Sequence, residues 1–282
     1  MRSRSTVAAA CAAVAALFAV TTVAALVSAS PALAIDNGVP DGTNHPNVGL
    51  LAIEHDGIKD AWCSGFYAGP HKANPGIGVF VTAAHCLADL AELGFSGSDL
   101  TVTFDPEVTI EVDGNTWATT AATWHPAFAY DTAADADYGV VLLEAPVAGL
   151  TGVEFPRAGL LDDLTARGGL RPTTVFDNVG YGLIPHFKRG PVWGEPPPGR
   201  MFATSKFVGL TKSHLHLLTN SDAGYGGACY GDSGSPVLRH DSNTAVAFVS
   251  GGGDRICRAQ NHPLRLDIPA ARAFYRDYVQ LP

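Results

Sequence analysis

Ser233 is the residue in this chain whose surroundings most suggest chemistry. It stands in the run Cys229-Tyr230-Gly231-Asp232-Ser233-Gly234-Ser235-Pro236. Gly, Asp and Ser favour tight turns for steric and hydrogen-bonding reasons, so the run by itself reads as a turn. A serine hydroxyl is a weak nucleophile near neutral pH. It is activated by an adjacent base, which a third group must hold in the right orientation. The chain offers a base at His85, in Thr82-Ala83-Ala84-His85-Cys86, and a carboxylate at Asp137, which opens Asp137-Tyr138-Gly139-Val140-Val141-Leu142-Leu143. Asp131 and Asp135 compete for the third role, but Asp137 alone leads directly into a continuous apolar run. That places it at the mouth of a buried strand, whereas the other two are expected in an exposed loop.

The order His, Asp, Ser separates this set from the subtilisin and α/β-hydrolase arrangements. With a cysteine beside both the histidine and the serine motifs, the chain resembles a secreted, chymotrypsin-like (trypsin-fold) serine protease of bacterial type. The resemblance covers nearly everything after residue 34. It implies an all-β fold of two packed six-stranded antiparallel β-barrels with a C-terminal helix and the active site in the cleft between them. His85 is then general base toward Ser233 and later general acid. Asp137 fixes its tautomer, and the N–H groups of Gly231 and Ser233 form the oxyanion hole. The resemblance pairs Cys63 with Cys86 and Cys229 with Cys257.

The same resemblance extends to substrate recognition. Ser250-Gly251-Gly252 matches the segment that pairs with substrate as a strand, although Gly251 stands where the family often has Trp. Gly227 and Ala228 occupy positions where members that cut after Arg or Lys carry an acid. Leu264 aligns with a pocket-lining glycine and is expected to narrow the pocket, so a small or medium apolar residue before the cleaved bond is expected. Asp222 and Asp254 are nearby acids that would enter the pocket under a different loop alignment. Ser235 replaces a usual glycine.

Composition sets the remaining bounds. The net charge is −9, and removal of residues 1–34, whose only charges are Arg2 and Arg4, makes it more negative. An acidic surface argues against nucleic acid or anionic lipid as partner. Five cysteines are present, and Cys11 falls in the N-terminal segment, leaving an even number. Their spacing contains no C-x-x-C or clustered Cys/His group, which argues against zinc as the alternative to disulfides for these cysteines. Sequence alone allows three disulfide pairings.

Residues 1–34 read as a signal peptide: Arg2 and Arg4, an apolar run from Val7 to about Val27, then Ala32-Leu33-Ala34. The run is also long enough for an uncleaved anchor. Cleavage after Ala34 exposes Ile35, whose amine, by the resemblance, pairs with Asp232; Asp36 departs from the usual apolar second residue. The other reading of this end is a frayed terminus. Residues 35–150 are expected to form the barrel bearing His85 and Asp137, and residues 151–282 the barrel bearing Ser233.

Short β-rich runs separated by turns support that division. They are Val48–Ile53, Gly78–Thr82, Leu100–Phe104, Val108–Val112 and Tyr138–Leu143, then Thr173–Val179, Met201–Val208, Leu215–Leu218 and Ala245–Ser250. Residues 146–170 read as a weakly patterned crossover and the proline-rich 185–200 as a loop. Asp267–Gln280 reads as a helix capped by Asp267 with a stripe of Ala270, Phe274 and Tyr278.

The expectation is therefore a secreted, monomeric serine endopeptidase acting on proteins or peptides, with no metal or organic cofactor, no nucleic acid and no stable membrane association. Two alternatives stand beside it. One is a non-catalytic binding protein on the same fold. The other is a serine esterase, against which Ser235 sits where a nucleophile elbow needs glycine and Pro236 opens a β-like run where a helix is needed.

Overall fold

The computed structural model describes residues 35–108, 112, 114–129, 134–182, 184–186, 193–195, 199–251 and 257–282. The signal segment, Thr109–Glu111, Asp131, Pro191, Pro196–Pro198, Gly252 and Asp254 lie outside the described residues. Among the described residues no helix is long and apolar enough to cross a membrane.

The first half is β1 (Val39–Pro40), β2 (Val48–His55), β3 (Ile58–Pro70), β4 (Gly78–Ala83), α1 (Ala84–Glu92), β5 (Leu100–Thr103), β6 (Thr116–Trp124) and β7 (Tyr138–Leu143). Strands β2 to β7 close into a barrel in the order β2-β3-β4-β7-β6-β5. Asp56-Gly57 turns β2 into β3, and both residues have positive φ (51° and 78°). That is the requirement of a tight two-residue hairpin, which Asp-Gly meets at low steric cost. Strand β4 is buried along its whole length, which is why it reads as an unbroken apolar run. It pairs with β7 residue by residue, from Gly78 opposite Leu143 to Ala83 opposite Tyr138.

The second half is α2 (Leu160–Ala166), β8 (Val175–Gly180), β9 (Ile184–His186), β10 (Trp193–Glu195), β11 (Met201–Leu210), β12 (Leu215–Leu218), β13 (Pro236–Arg239), β14 (Ala245–Phe248), β15 (Gln260–Asn261), β16 (Leu264–Arg265) and α3 (Pro269–Tyr275). Strands β9 and β10 form a separate hairpin, and β1 adds to β11. The main sheet runs β15-β12-β11-β8-β13-β14-β16. Only His262 and Pro263 separate β15 from β16, and His214 bridges Leu264. The stretch 260–265 therefore pairs with β12 on one side and β14 on the other. Counted as one strand, it returns the sheet on itself as a six-membered unit. Proline has no N–H for the ladder, but Pro263 still accepts from Leu215 N at 3.0 Å.

A shared apolar core joins the two halves: Phe66, Phe80 and Val140 of the first belong to the same buried cluster as Val179, Phe248 and Leu264 of the second. Arg200, 1 % exposed, ties them with polar contacts. Its Nε donates to Asp41 Oδ2 at 2.8 Å, Nη1 to the carbonyls of Val48 (3.1 Å) and Phe104 (3.0 Å), and Nη2 to Gly42 O at 2.7 Å. A buried guanidinium is tolerable because its donors are met in this way.

Three expectations change. The segment expected as a featureless crossover contains α2, and the proline-rich segment expected as a loop carries the paired strands β9 and β10. The C-terminal helix starts at Pro269 with Ile268 as N-cap, and its buried face is Ala271 and Tyr275, followed by Val279, while Ala270 is exposed. Asp267 does not cap it, because its carboxylate is taken by Arg265 Nε at 2.8 Å and by the N–H of Leu161 at 2.8 Å. It thus serves the first turn of α2, whose own N-cap, Gly159, has no side chain to do so.

Candidate active site

The β4–β7 register builds the first part of the site. Ala83 and Tyr138 are the last pair of that ladder, so the residues just beyond, His85 and Asp137, emerge together at one end of the barrel. Ala84 N donates to Asp137 O at 3.1 Å, continuing the ladder by one bond. The side chains then meet: His85 Nδ1 lies 2.9 Å from Asp137 Oδ2, and His85 N donates to Asp137 Oδ1 at 2.8 Å. Asp137 is buried and the imidazole is partly open, 21 % exposed. Nδ1 faces the carboxylate, which turns Nε2 to the other side of the ring. Asp135 is exposed and accepts from Ser213 Oγ instead.

The serine turn is packed against the same barrel end. Gly231 and Gly234 both have positive φ (88° and 86°), the backbone shape that glycine adopts without strain. A side chain at Gly234 would collide with Thr82 Oγ1, Ser64 O and Ala83 N. The residue after Ser233 therefore rests on the segment that delivers His85, and only glycine allows that approach. Ser64 fastens the arrangement: its Oγ donates to Gly231 O at 3.0 Å and accepts from Tyr181 N at 2.9 Å, while its carbonyl accepts from Thr82 Oγ1 at 2.8 Å. Val249 O accepts from Gly234 N at 2.7 Å, and the next residue, Ser250, donates its hydroxyl to Asp137 Oδ2 at 2.5 Å. One short segment thus holds both the serine turn and the carboxylate.

Sequence reasoning placed Ser250 in the substrate segment and missed its bond to Asp137; it missed Ser64 altogether. Neither had a signal in spacing, since each contact joins residues more than 100 positions apart.

Both disulfides are those expected, Cys63–Cys86 and Cys229–Cys257. The first links β3 to α1 next to His85. Potential ligand atoms of Cys63, His85 and Cys86 lie within 4.8 Å of one another, but both sulfurs are already bonded and cannot hold a metal. The second ties the serine turn to the stretch after Gly251.

Asp232 is fully buried and accepts from Gly182 N at 2.8 Å and Cys229 N at 2.9 Å. Burial pushes its carboxyl up to about 7, against the pull of those two donors. The segment that starts at Ile35 is docked near the same loop. Ile35 is fully buried against Met201 and Ala203, and Asp36 exchanges both backbone hydrogen bonds with Gly227 at 2.9 and 3.1 Å.

The expected pocket residues are more enclosed. Gly227 is buried beneath Thr219, Asn261 and Ser205, with no room for a Cβ, and Ala228 is buried with its carbonyl held by Asn261 Nδ2 at 3.1 Å. Leu264 is fully buried in the shared core. Gly251 is exposed, and so is Asp222, whose N–H bonds Asn220 Oδ1 in a local turn.

No protein-family model matches the chain, and no curated protein matches its sequence. Its structure is similar to that of the Vibrio cholerae VesB protease, with a TM-score of 0.57 at 15% sequence identity, over 86% of this chain and 66% of that one. The chain thus spans just under two thirds of the structure it resembles. The likeness is one of fold, and with the closed six-stranded barrel, the second β unit and the C-terminal helix it shows the chain to have the chymotrypsin-like fold.

Proposed function

We propose that the chain is a serine-type endopeptidase that works outside the cell, with His85, Asp137 and Ser233 as its triad. The observation that carries this reading is the packing of Gly234 on Thr82 and Ala83, which sets the Ser233 turn against the His85–Asp137 pair. A protease architecture supports it, and so do two disulfides, which persist in oxidising compartments. Residues 1–34 are then an export segment, and residues 35–150 and 151–282 are the two halves that meet at the site.

In this mechanism His85 Nε2 takes the Ser233 proton as Oγ attacks the substrate carbonyl. The oxygen of the tetrahedral intermediate is held by the N–H groups of Gly231 and Ser233, in a turn whose shape glycine makes possible. The imidazolium gives its proton to the leaving amine, and water releases the acyl group by the same steps in reverse. Asp137 keeps Nδ1 protonated and stabilises the imidazolium, while Ser250 and the His85 N–H hold the carboxylate in place. The steps call on no cofactor. The residue before the cleaved bond is small or medium and apolar, since Gly227 and Ala228 bring no carboxylate to meet a cation. The amine of Ile35, freed by signal cleavage, pairs with Asp232 and supplies a cation beside this buried carboxyl.

The test is treatment of the chain beginning at Ile35, and of its Ser233→Ala variant, with a fluorophosphonate, followed by intact mass. One adduct on the wild type and none on the variant is expected. Peptide-library profiling should then show cleavage after small or medium apolar residues. A folded wild type that takes no adduct would defeat the reading, and strict cleavage after Arg or Lys would defeat the specificity.

A further inference from the structure

A second cluster of basic side chains lies on the outer face of the second β unit. In strand β12, Leu215 and Leu217 are fully buried, so the alternation of a strand turns His214 and His216 to the opposite face. The register Leu217–Asn261 and Leu218–Gln260, with the bridge His214–Leu264, sets His216 directly opposite His262. Because Leu215 N bonds Pro263 O, the neighbouring pair His216/His262 is a non-hydrogen-bonded one, the kind that brings side chains closest. The two rings accordingly stand with centroids 4.4 Å apart, tilted by 53°.

This is an unusual use of a cross-strand position. His216 Nε2 is shut off from solvent and has no hydrogen-bond partner, a cost that a neighbouring imidazole does not relieve. Burial holds both imidazoles below their ordinary pKa, helped by repulsion from His262 on His216 and from His214 on His262. Neutral rings have lone pairs to give. Two nitrogens bound to one metal at about 2.0–2.1 Å lie roughly 3 Å apart, within reach of rings this close. Imidazole suits borderline divalent transition metals and not Mg²⁺ or Ca²⁺. On the same face His214 is turned to Asp135, with its Nε2 3.8 Å from Asp135 Oδ1, so the proposed ligands are the two facing imidazoles.

We infer that His216 and His262 form a two-imidazole site for a divalent transition-metal cation, with water completing its coordination. The site does not depend on the proposed catalytic activity. It does adjoin the triad: His262 N donates to Gly251 O at 3.2 Å, and Gly251 follows Ser250, the partner of Asp137.

The test is calorimetric titration of untagged protein with CuCl₂, ZnCl₂ and MgCl₂, in the wild type and in His216→Asn, His262→Asn and His55→Ala. One equivalent of Cu²⁺ or Zn²⁺ should bind the wild type and the His55 variant, with Cu²⁺ tighter and Mg²⁺ inert. Each asparagine variant, shown folded by circular dichroism, should lose about tenfold or more in affinity. In the wild type Zn²⁺ should shift the Hε1 resonances of His216 and His262 before those of the other histidines, a readout that needs no variant. No binding to the wild type, unchanged binding in either asparagine variant, or first shifts at other histidines would overturn the assignment.

Discussion

Two histidine–carboxylate pairs in this molecule are built almost alike and differ in what surrounds them. His85 Nδ1 meets Asp137 Oδ2 at 2.9 Å, and His240 Nδ1 meets Asp177 Oδ1 at 2.7 Å. Both carboxylates are buried, and each also accepts a backbone N–H, from His85 at 2.8 Å and from Asp241 at 3.2 Å. The pair alone therefore does not make a site. Asp137 has the further bond from Ser250, and His85 has the Ser233 turn packed on its delivering segment through Gly234. His240 sits after β13 on a turn, 44 % exposed, where its ring can hold a loop but has no such neighbour among the described contacts. Under the proposed mechanism, the serine turn and the bond from Ser250 are what separate the His85 pair from a surface tether.

The sharpest way to break this comparison is to make the same change in both pairs. Asp137→Asn keeps the shape but favours the wrong tautomer of His85, and a loss of about 10⁴-fold in the rate of peptide cleavage is expected. Asp177→Asn should leave the rate within about threefold and act on stability only. Equal losses in the two variants, measured on one substrate, would mean that the pairs are not distinct in function.

The next effect concerns Asp232, the buried carboxyl of the serine turn that packs beside the first pair. Its carboxyl is raised by burial to about 7. The folded state thus binds this proton more tightly than the unfolded chain, and stability falls as pH rises from about 4 through about 7. A cation at Ile35 removes that loss by lowering the carboxyl. A chain with one extra residue before Ile35 should therefore be about 100-fold slower, the scale of a misplaced catalytic group. Its melting temperature should also fall between pH 5 and 7.5 more than that of the chain starting at Ile35. Parallel melting curves with full activity in both would remove the amine from the mechanism.

Ser250→Ala tests the contact that Asp137 has and Asp177 lacks. Hydrogen bonds to charged groups are worth about 1.5–3 kcal/mol, so a loss of roughly tenfold or more in kcat is expected with folding intact. An unchanged kcat would leave the turn packing as the sole distinction between the pairs.

Which parts of this were legible follows from how far each signal reaches along the chain. The barrel strands Gly78–Ala83 and Tyr138–Leu143 were readable because burial on both sides leaves an unbroken apolar run. The preference for Asp137 over Asp135 followed from that run. The hairpin at Asp56-Gly57 carried a local signal that went unread, and with it the longest strand among the described residues, Ile58–Pro70, whose first half is polar and partly exposed. The helix at Pro269 was seen but its buried face was set one residue early, because Asp267 looked like a cap while its carboxylate belongs to Arg265 and Leu161. The contacts of Ser64, the bond from Ser250 to Asp137 and the pairing of Asp36 with Gly227 join residues remote in sequence, and nothing in the local sequence marks those contacts.

The smallest expected effect returns to the second pair. The bond to Asp177 raises the pKa of His240, with burial opposing. A histidine raised above its unfolded value contributes stability that is fully present below about 6.5, the ordinary value, and is lost as pH rises through the folded value. Solvent reaches this ring, so the contribution is small. The Hε1 resonance of His240 should titrate with a midpoint above 6.5 in the wild type and return toward 6.5 in Asp177→Asn. The melting-temperature difference between the two proteins should shrink from pH 5 to pH 8. A His240 midpoint unmoved by Asp177→Asn would show that the bond carries no charge coupling, and the likeness between the two pairs would then be one of geometry alone.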